Sequence, residues 1–115
     1  MEQAVRQGAL ELHGITTEIV VQSFSDRTMV NVTQLEKMGT MLLVTSEASG
    51  MGGRSFNVKT LLGRRDDPLL LVYARQLAEQ MRLDHPLLLA IALKEEGRDS
   101  ATFAAVVNKV LALGQ

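Results

Sequence analysis

Hydrophobic and polar positions alternate through the first half of the chain, and a helical period replaces the alternation in the second half. Period two marks strands buried on one face. Residues 9–13 predict a short first strand that Gly14 breaks. In 15–24, Ile15, Thr17, Ile19 and Val21 point one way, and Thr16, Glu18, Val20, Gln22 and Phe24 the other. Ser25-Asp26 is turn chemistry, because short polar side chains hydrogen-bond the local backbone. A third strand, 28–33, sets Val30 and Val32 against Met29, Asn31 and Thr33. The fourth, 40–46, is apolar on both faces through Met41-Leu42-Leu43-Val44. After a Ser- and Gly-rich loop at 46–54, residues 55–62 alternate again, with Phe56, Val58, Thr60 and Leu62 on one side.

Asp67-Pro68 then starts a helix: the aspartate can cap free N–H groups, and proline at the first helical position loses no hydrogen bond. Leu70, Ala74, Leu77 and Met81 fall at helical spacing, flanked by Tyr73 and Ala78, with Arg75, Glu79, Gln80 and Arg82 on the wet side. Asp84-His85-Pro86 breaks this helix. The apolar run 87–93 is too short for a typical helix and reads as a central strand. Gly97, with Asp99 or Ser100 as cap, opens a last helix whose buried stripe is Phe103, Val106, Val107, Val110 and Leu111. Its Val content lowers intrinsic helix propensity, so packing must hold it.

The order β-β-β-β-β-α-β-α predicts one α+β domain over 1–115, a largely antiparallel six-stranded sheet with two helices on one face. Two short helices cover one face only. The other carries apolar residues too, and a partly apolar open face is a sign of association. The expectation is a dimer through that face, with Val20, Gln22, Met29, Asn31, Met41 and Leu43 as interface candidates.

Composition narrows the function. Lysine and arginine number 12 against 13 acidic residues, so no basic surplus marks a nucleic-acid binder. Cysteine is absent, which removes disulfides, thiolate metal sites and cysteine nucleophiles. Aromatics are three Phe and one Tyr, too few for base-stacking platforms. No apolar run is long enough to span a bilayer as a helix, and the start of the chain does not read as a secretory signal. The expectation is a cytoplasmic protein, with the nucleus as a second compartment, that takes no nucleic acid and no membrane as partner.

The catalytic inventory is close to empty. His13 and His85 lie far apart in sequence and would need two carboxylates to hold a metal. Gly50-Met51-Gly52-Gly53-Arg54-Ser55 lacks the Gly-Lys-Ser/Thr of a phosphate loop and sits between two strands, so it reads as a hairpin loop. Asp66-Asp67 is explained as a helix cap, and Arg64-Arg65 as a charged turn or partner contact. No catalytic, metal or cofactor-binding residue is expected, and the chain is read as a non-enzyme acting by protein contact.

One segment goes further. Val32-Thr33-Gln34-Leu35-Glu36-Lys37-Met38-Gly39-Thr40 resembles the Val-Thr-Gln-x-x-Lys-Met-Gly-Thr block of the proteasome assembly chaperone 3 family. Lys59-Thr60-Leu61-Leu62-Gly63 followed by Asp67-Pro68-Leu69, and the apolar run closing on Lys94, match the same family in order and spacing. The resemblance covers about residues 17–113, and Thr33, Gln34, Lys37, Met38, Gly39 and Thr40 are its motif residues. It implies a non-catalytic chaperone without cofactor that pairs with a proteasome assembly chaperone 4-like protein, or with itself in its absence. The pair would hold α-type subunits of the 20S proteasome while the α-ring assembles and leave as β-type subunits arrive. Physically, Gly39 would supply a positive-φ turn between strands three and four, with Met38 packed beneath it. Two rival readings come from other classes: a dimeric α/β scaffold or adaptor unrelated to the proteasome, and a nucleotide-binding enzyme using the glycine loop and Arg54.

Overall fold

The computed structural model describes residues 4–12, 14–34, 39–48, 54–63, 68–82, 85–93 and 100–113. Five strands come first: β1 (Ala4–Leu12), β2 (Ile15–Ser23), β3 (Thr28–Thr33), β4 (Thr40–Ala48) and β5 (Arg54–Leu62). Helix α1 (Pro68–Met81), strand β6 (Leu87–Ala92) and helix α2 (Ser100–Leu113) complete the predicted order. The strands form one sheet, ordered β1-β2-β3-β6-β4-β5. Its neighbours pair antiparallel except β3 and β6, which run parallel, so the sheet is mixed rather than uniformly antiparallel. A parallel pair needs a long crossover, and the whole of β4, β5 and α1 forms it. The late apolar strand is central, as its composition demands.

One face of the sheet carries the core. Ile19 and Val21, Val30 and Val32, Leu42 and Val44, and Leu87, Leu89 and Ile91 are all buried. Against them α1 buries Leu70, Tyr73, Ala74, Leu77 and Ala78, and α2 buries Phe103, Val106, Val107 and Val110. Helix α1 lies over β4 and β5, α2 over β1 and β2, and the helices touch each other. There Tyr73 and Phe103 stack, centroids 3.6 Å apart and planes within 8°. Helix α1 opens on Pro68 as expected. It closes at Arg82, whose φ of +55° turns the chain out of the helix while its N–H donates to the Glu79 carbonyl at 3.2 Å.

Two strands differ from their predicted pattern, each for a physical reason. Strand β1 begins at Ala4, five residues before the predicted start, and pairs with β2 along its whole length. Its inward positions include Arg6 and Gly8, opposite Val21 and Ile19, so hydrophobic alternation is missing there. Gly8 lies close under α2: a Cβ there would lie 2.9 Å from Lys109 Cε and 3.3 Å from Leu113 Cδ2, the movable ends of two side chains. In β5, Phe56 and Val58 pack on the core as predicted, but Leu62 is 61% exposed. The register shifts beside Met41, so that Thr60 pairs with Leu42 and Leu62 with Met41. Such a bulge turns the following residue onto the opposite face.

Candidate functional site

The helices pack on one sheet face, and the register fixes what the opposite face shows. Directly paired residues share a face. Gln22 of β2, Met29 of β3, Leu88 of β6, Leu43 of β4 and Lys59 of β5 therefore form one row across the sheet. The next row runs Val20, Asn31, Ala90, Met41 and Leu62. The six residues predicted for the interface thus lie side by side on a single face, the one opposite the helices. Each is half-buried in the lone chain. Val5, 53% exposed and paired with Gln22, adds an apolar side chain at the β1 edge.

Leu88, Ala90, Val5 and Leu62 belong to this face and escaped the sequence reading. Strand β6 is apolar on both sides, so alternation cannot say which residues look outward. Leu62 reaches the face only through the bulge. Within the patch, the Asn31 side-chain oxygen is buried and has no hydrogen-bond partner among the described residues.

The motif residues gather elsewhere, at the end of the sheet where β3 and β6 finish and β4 begins. Gln34 donates its backbone N–H to the Ala92 carbonyl at 2.9 Å. Its side-chain Nε2 donates to Thr17 Oγ1 at 3.0 Å, and that hydroxyl reaches the Ile15 carbonyl at 3.4 Å. Thr33 pairs with Ala92 in the β3–β6 ladder. Gly39 has φ +65°, the positive value expected of a turn glycine. A Cβ on it would run into the Ile91 carbonyl oxygen and stand 2.7 Å from Ala92 Cβ. Thr40 is buried, and Gly63 sits on it with φ +96°, where an added Cβ would be 2.7 Å from Thr40 Cα. Two separate motif segments, 33–40 and 59–63, thus meet at one backbone crossing that only glycines allow. Lys37 and Met38 lie outside the described residues.

Of the two histidines, the structure describes His85. His85 is hydrogen-bonded to Thr28 Oγ1 at 2.7 Å, beside the backbone bond from Thr28 N–H to the Pro86 carbonyl at 3.0 Å. These bonds tie the loop before β6 to the start of β3. His13, the glycines of the 49–53 segment, Arg64, Arg65, Asp66 and Asp67 lie outside the described residues. Among the described residues, no group of three or more His, Asp or Glu side chains is placed to hold a metal. No described helix is long and apolar enough to cross a membrane. A shallow hollow of about 330 Å³ lies across β1 and β2, lined by Gln7, Gly8, Ala9, Glu18, Ile19 and Val20. Among these described residues Glu18 is the one ionisable group, which is not a catalytic constellation.

Comparison with known proteins agrees with this architecture. The family model described as proteasome assembly chaperone 3 matches residues 30–112. The chain is 36% identical to the bovine (Bos taurus) protein named proteasome assembly chaperone 3 over 92 residues, 76% of this chain and 75% of that one. It is 35% identical to the human protein of that name, over 75% of this chain and 74% of the relative. The sea anemone (Nematostella vectensis) protein of that name is 33% identical, over 77% and 74%. In three dimensions the fold is similar to a chain in the crystal structure of a chaperone complex for yeast 20S proteasome assembly. The TM-score is 0.76 over 97% of this chain and 99% of that one, at 17% identity. The sequence matches settle the family: this chain belongs to the proteasome assembly chaperone 3 family, a family of non-catalytic chaperones.

Proposed function

We propose that this chain promotes assembly of the 20S proteasome α-ring by binding α-type subunits as a dimer with a related, proteasome assembly chaperone 4-like protein. In the absence of that partner it pairs with itself. The pair holds α-type subunits while the ring closes and is released as β-type subunits arrive, in the cytoplasm and the nucleus. No catalytic step is required of it.

One observation carries the dimer. Strand β6 reads Leu-Leu-Leu-Ala-Ile-Ala and pairs parallel to β3 in the middle of the sheet. Parallel pairs of this composition are normally covered on both faces. Here the helices cover one, and among the described residues Met29, Leu88, Leu43, Val20 and Met41 on the other stay half-exposed. Six strands about 4.8 Å apart and strands of about six residues give a flat footprint on the order of 500 Å². Side-chain relief enlarges it towards the roughly 800 Å² per partner of a standard protein interface. A second sheet supplies the missing cover.

The test is a pull-down with the tagged chain from a lysate of the source organism, read by mass spectrometry. Recovery of proteasome α-type subunits together with a second small chaperone, and without β-type subunits, is the expected result. Recovery of neither, with the bait folded and soluble, overturns the proposal.

A further inference from the structure

Asn31 is out of place on its face. It occupies the middle of a strand, where asparagine is disfavoured, between Val20 on β2 and Ala90 on β6. Its Oδ1 is buried without a partner among the described residues, although the residue as a whole is half-exposed. An amide in that state is costly even in the lone chain, and covering the face with purely apolar surface would strand the rest of it as well. Whatever covers this face must therefore bring a hydrogen-bonding group to this one spot and apolar surface around it. The terminal torsion of asparagine is soft, so either end of the amide can turn outward to meet it.

We propose that Asn31 sets the register of the sheet-on-sheet pair, and that in the self-paired form its partner is Asn31 of a second copy. The inference rests on the helix-free face being the pairing surface. The strand order gives the geometry. The middle of the sheet falls between β3 and β6. A two-fold axis lying along the strands there sets β3 of one copy over β6 of the other, β2 over β4, and β1 over β5. Such an interface is self-complementary.

With the rows kept in step, Asn31 stands over Ala90 of the second copy, Met29 over Leu88, and Val20 over Met41. The methyl group of Ala90 leaves room for an amide, where Leu88 one row away would not. The two Asn31 Cα atoms are then one strand spacing apart in the plane and one sheet spacing apart in depth, about 11 Å in all. Two extended asparagine side chains joined by a hydrogen bond of about 2.9 Å reach about 10 Å, so they meet once the sheets close by about 1 Å over the small Ala90 side chain. An amide is donor and acceptor at once, so two copies satisfy each other, as a buried Asn pair does when it fixes coiled-coil register.

The chain has no cysteine, so introduced thiols report without background. Asn31→Cys should give a covalent dimer with a short bis-maleimide. Lys59→Cys, on edge strand β5 in the neighbouring row, should not, because an axis along the strands separates the two copies of that position by about 24 Å in the plane. Asn31→Asp should raise the dimer dissociation constant at neutral pH at least about tenfold, because it sets like charges against each other across the interface. Its monomer should still fold, as judged by circular dichroism.

A linked Lys59→Cys with an unlinked Asn31→Cys overturns the register, as does an Asn31→Asp chain that dimerises like wild type. A wild-type chain that is dimeric by light scattering, is split by Val20→Glu and gives no Asn31→Cys link refutes the role of Asn31 while leaving the pairing face intact. A wild-type chain that stays monomeric at high micromolar concentration refutes the self-paired form. Recovery of α-type subunits from lysate judges the chaperone role separately.

Discussion

Replacing Gly39 by alanine separates two costs that usually come together. At φ +65° any L side chain pays for left-handed backbone, about 1–2 kcal/mol. The new Cβ would also meet the Ile91 carbonyl and the Ala92 side chain of β6. Ile91 is paired to both β3 and β4 and Ala92 to β3, so neither can move without disturbing the centre of the sheet. Overpacking of this kind costs about 1–3 kcal/mol. The sum is about 2–5 kcal/mol, a large share of the roughly 5–15 kcal/mol that holds a domain together. For 115 residues the unfolding entropy makes 1 kcal/mol worth about 4 °C. Gly39→Ala should therefore lower Tm by about 8–20 °C.

Gly14→Ala is the control. Gly14 has φ +74°, but a Cβ there would meet nothing within 4 Å. It carries the backbone cost alone, about 4–8 °C. The change in unfolded-state entropy is common to both substitutions and cancels in the difference. The assay is thermal unfolding by far-UV circular dichroism at matched protein concentration, because self-association makes Tm concentration-dependent. Equal losses at the two sites refute the close approach to β6. No loss at Gly39 refutes the strained turn itself.

Other perturbations have defined outcomes. Leu77→Ala removes a fully buried side chain from the layer between α1 and the sheet, and should cost about 3–5 kcal/mol in denaturant unfolding. Gln34→Leu removes the donor to Thr17 Oγ1, a hydroxyl on a fully buried residue, and should cost about 1–3 kcal/mol in the same assay. Val20→Glu puts a charge on the helix-free face without touching the core; light scattering should show a monomer with Tm no lower than that of the wild-type chain diluted to its monomeric state.

The legible and the hidden parts of the fold divide by mechanism. Strands β2 and β3 were readable because one face is buried and the other is not, so Ile19 and Val21 alternate cleanly with Val20 and Gln22. Helix α1 was readable from Pro68 and from the spacing of Leu70, Ala74 and Leu77. The early half of β1 was hidden because arginine and glycine occupy its inward positions 6 and 8, and neither carries a hydrophobic signal. The partner of β6 was hidden because strand order is a property of the whole chain, not of any local pattern. That Val20, Gln22, Met29, Asn31, Met41 and Leu43 share the helix-free face followed from alternation. Their neighbours Leu88 and Ala90 did not, because a strand apolar on both sides has no period to read.

The motif and the open face are separate places, yet one depends on the other. A slip of one residue in β4 would exchange Met41 and Leu43 for Leu42 and Val44 on the helix-free face, and bury the wrong pair under the helices. What holds β4 in step is its first residue: Thr40 pairs with Ile91 and lies beneath Gly63, and Gly39 before it is pressed against β6. The bulge that delivers Leu62 to the face lies at the same end, opposite Met41. The crossing of the two motif segments therefore fixes which side chains the chain presents on its helix-free face. On this account a Gly39 substitution that still folds should weaken pairing as well as stability. A Leu77→Ala substitution of equal cost in the helical layer should lower stability and leave the pairing surface in register.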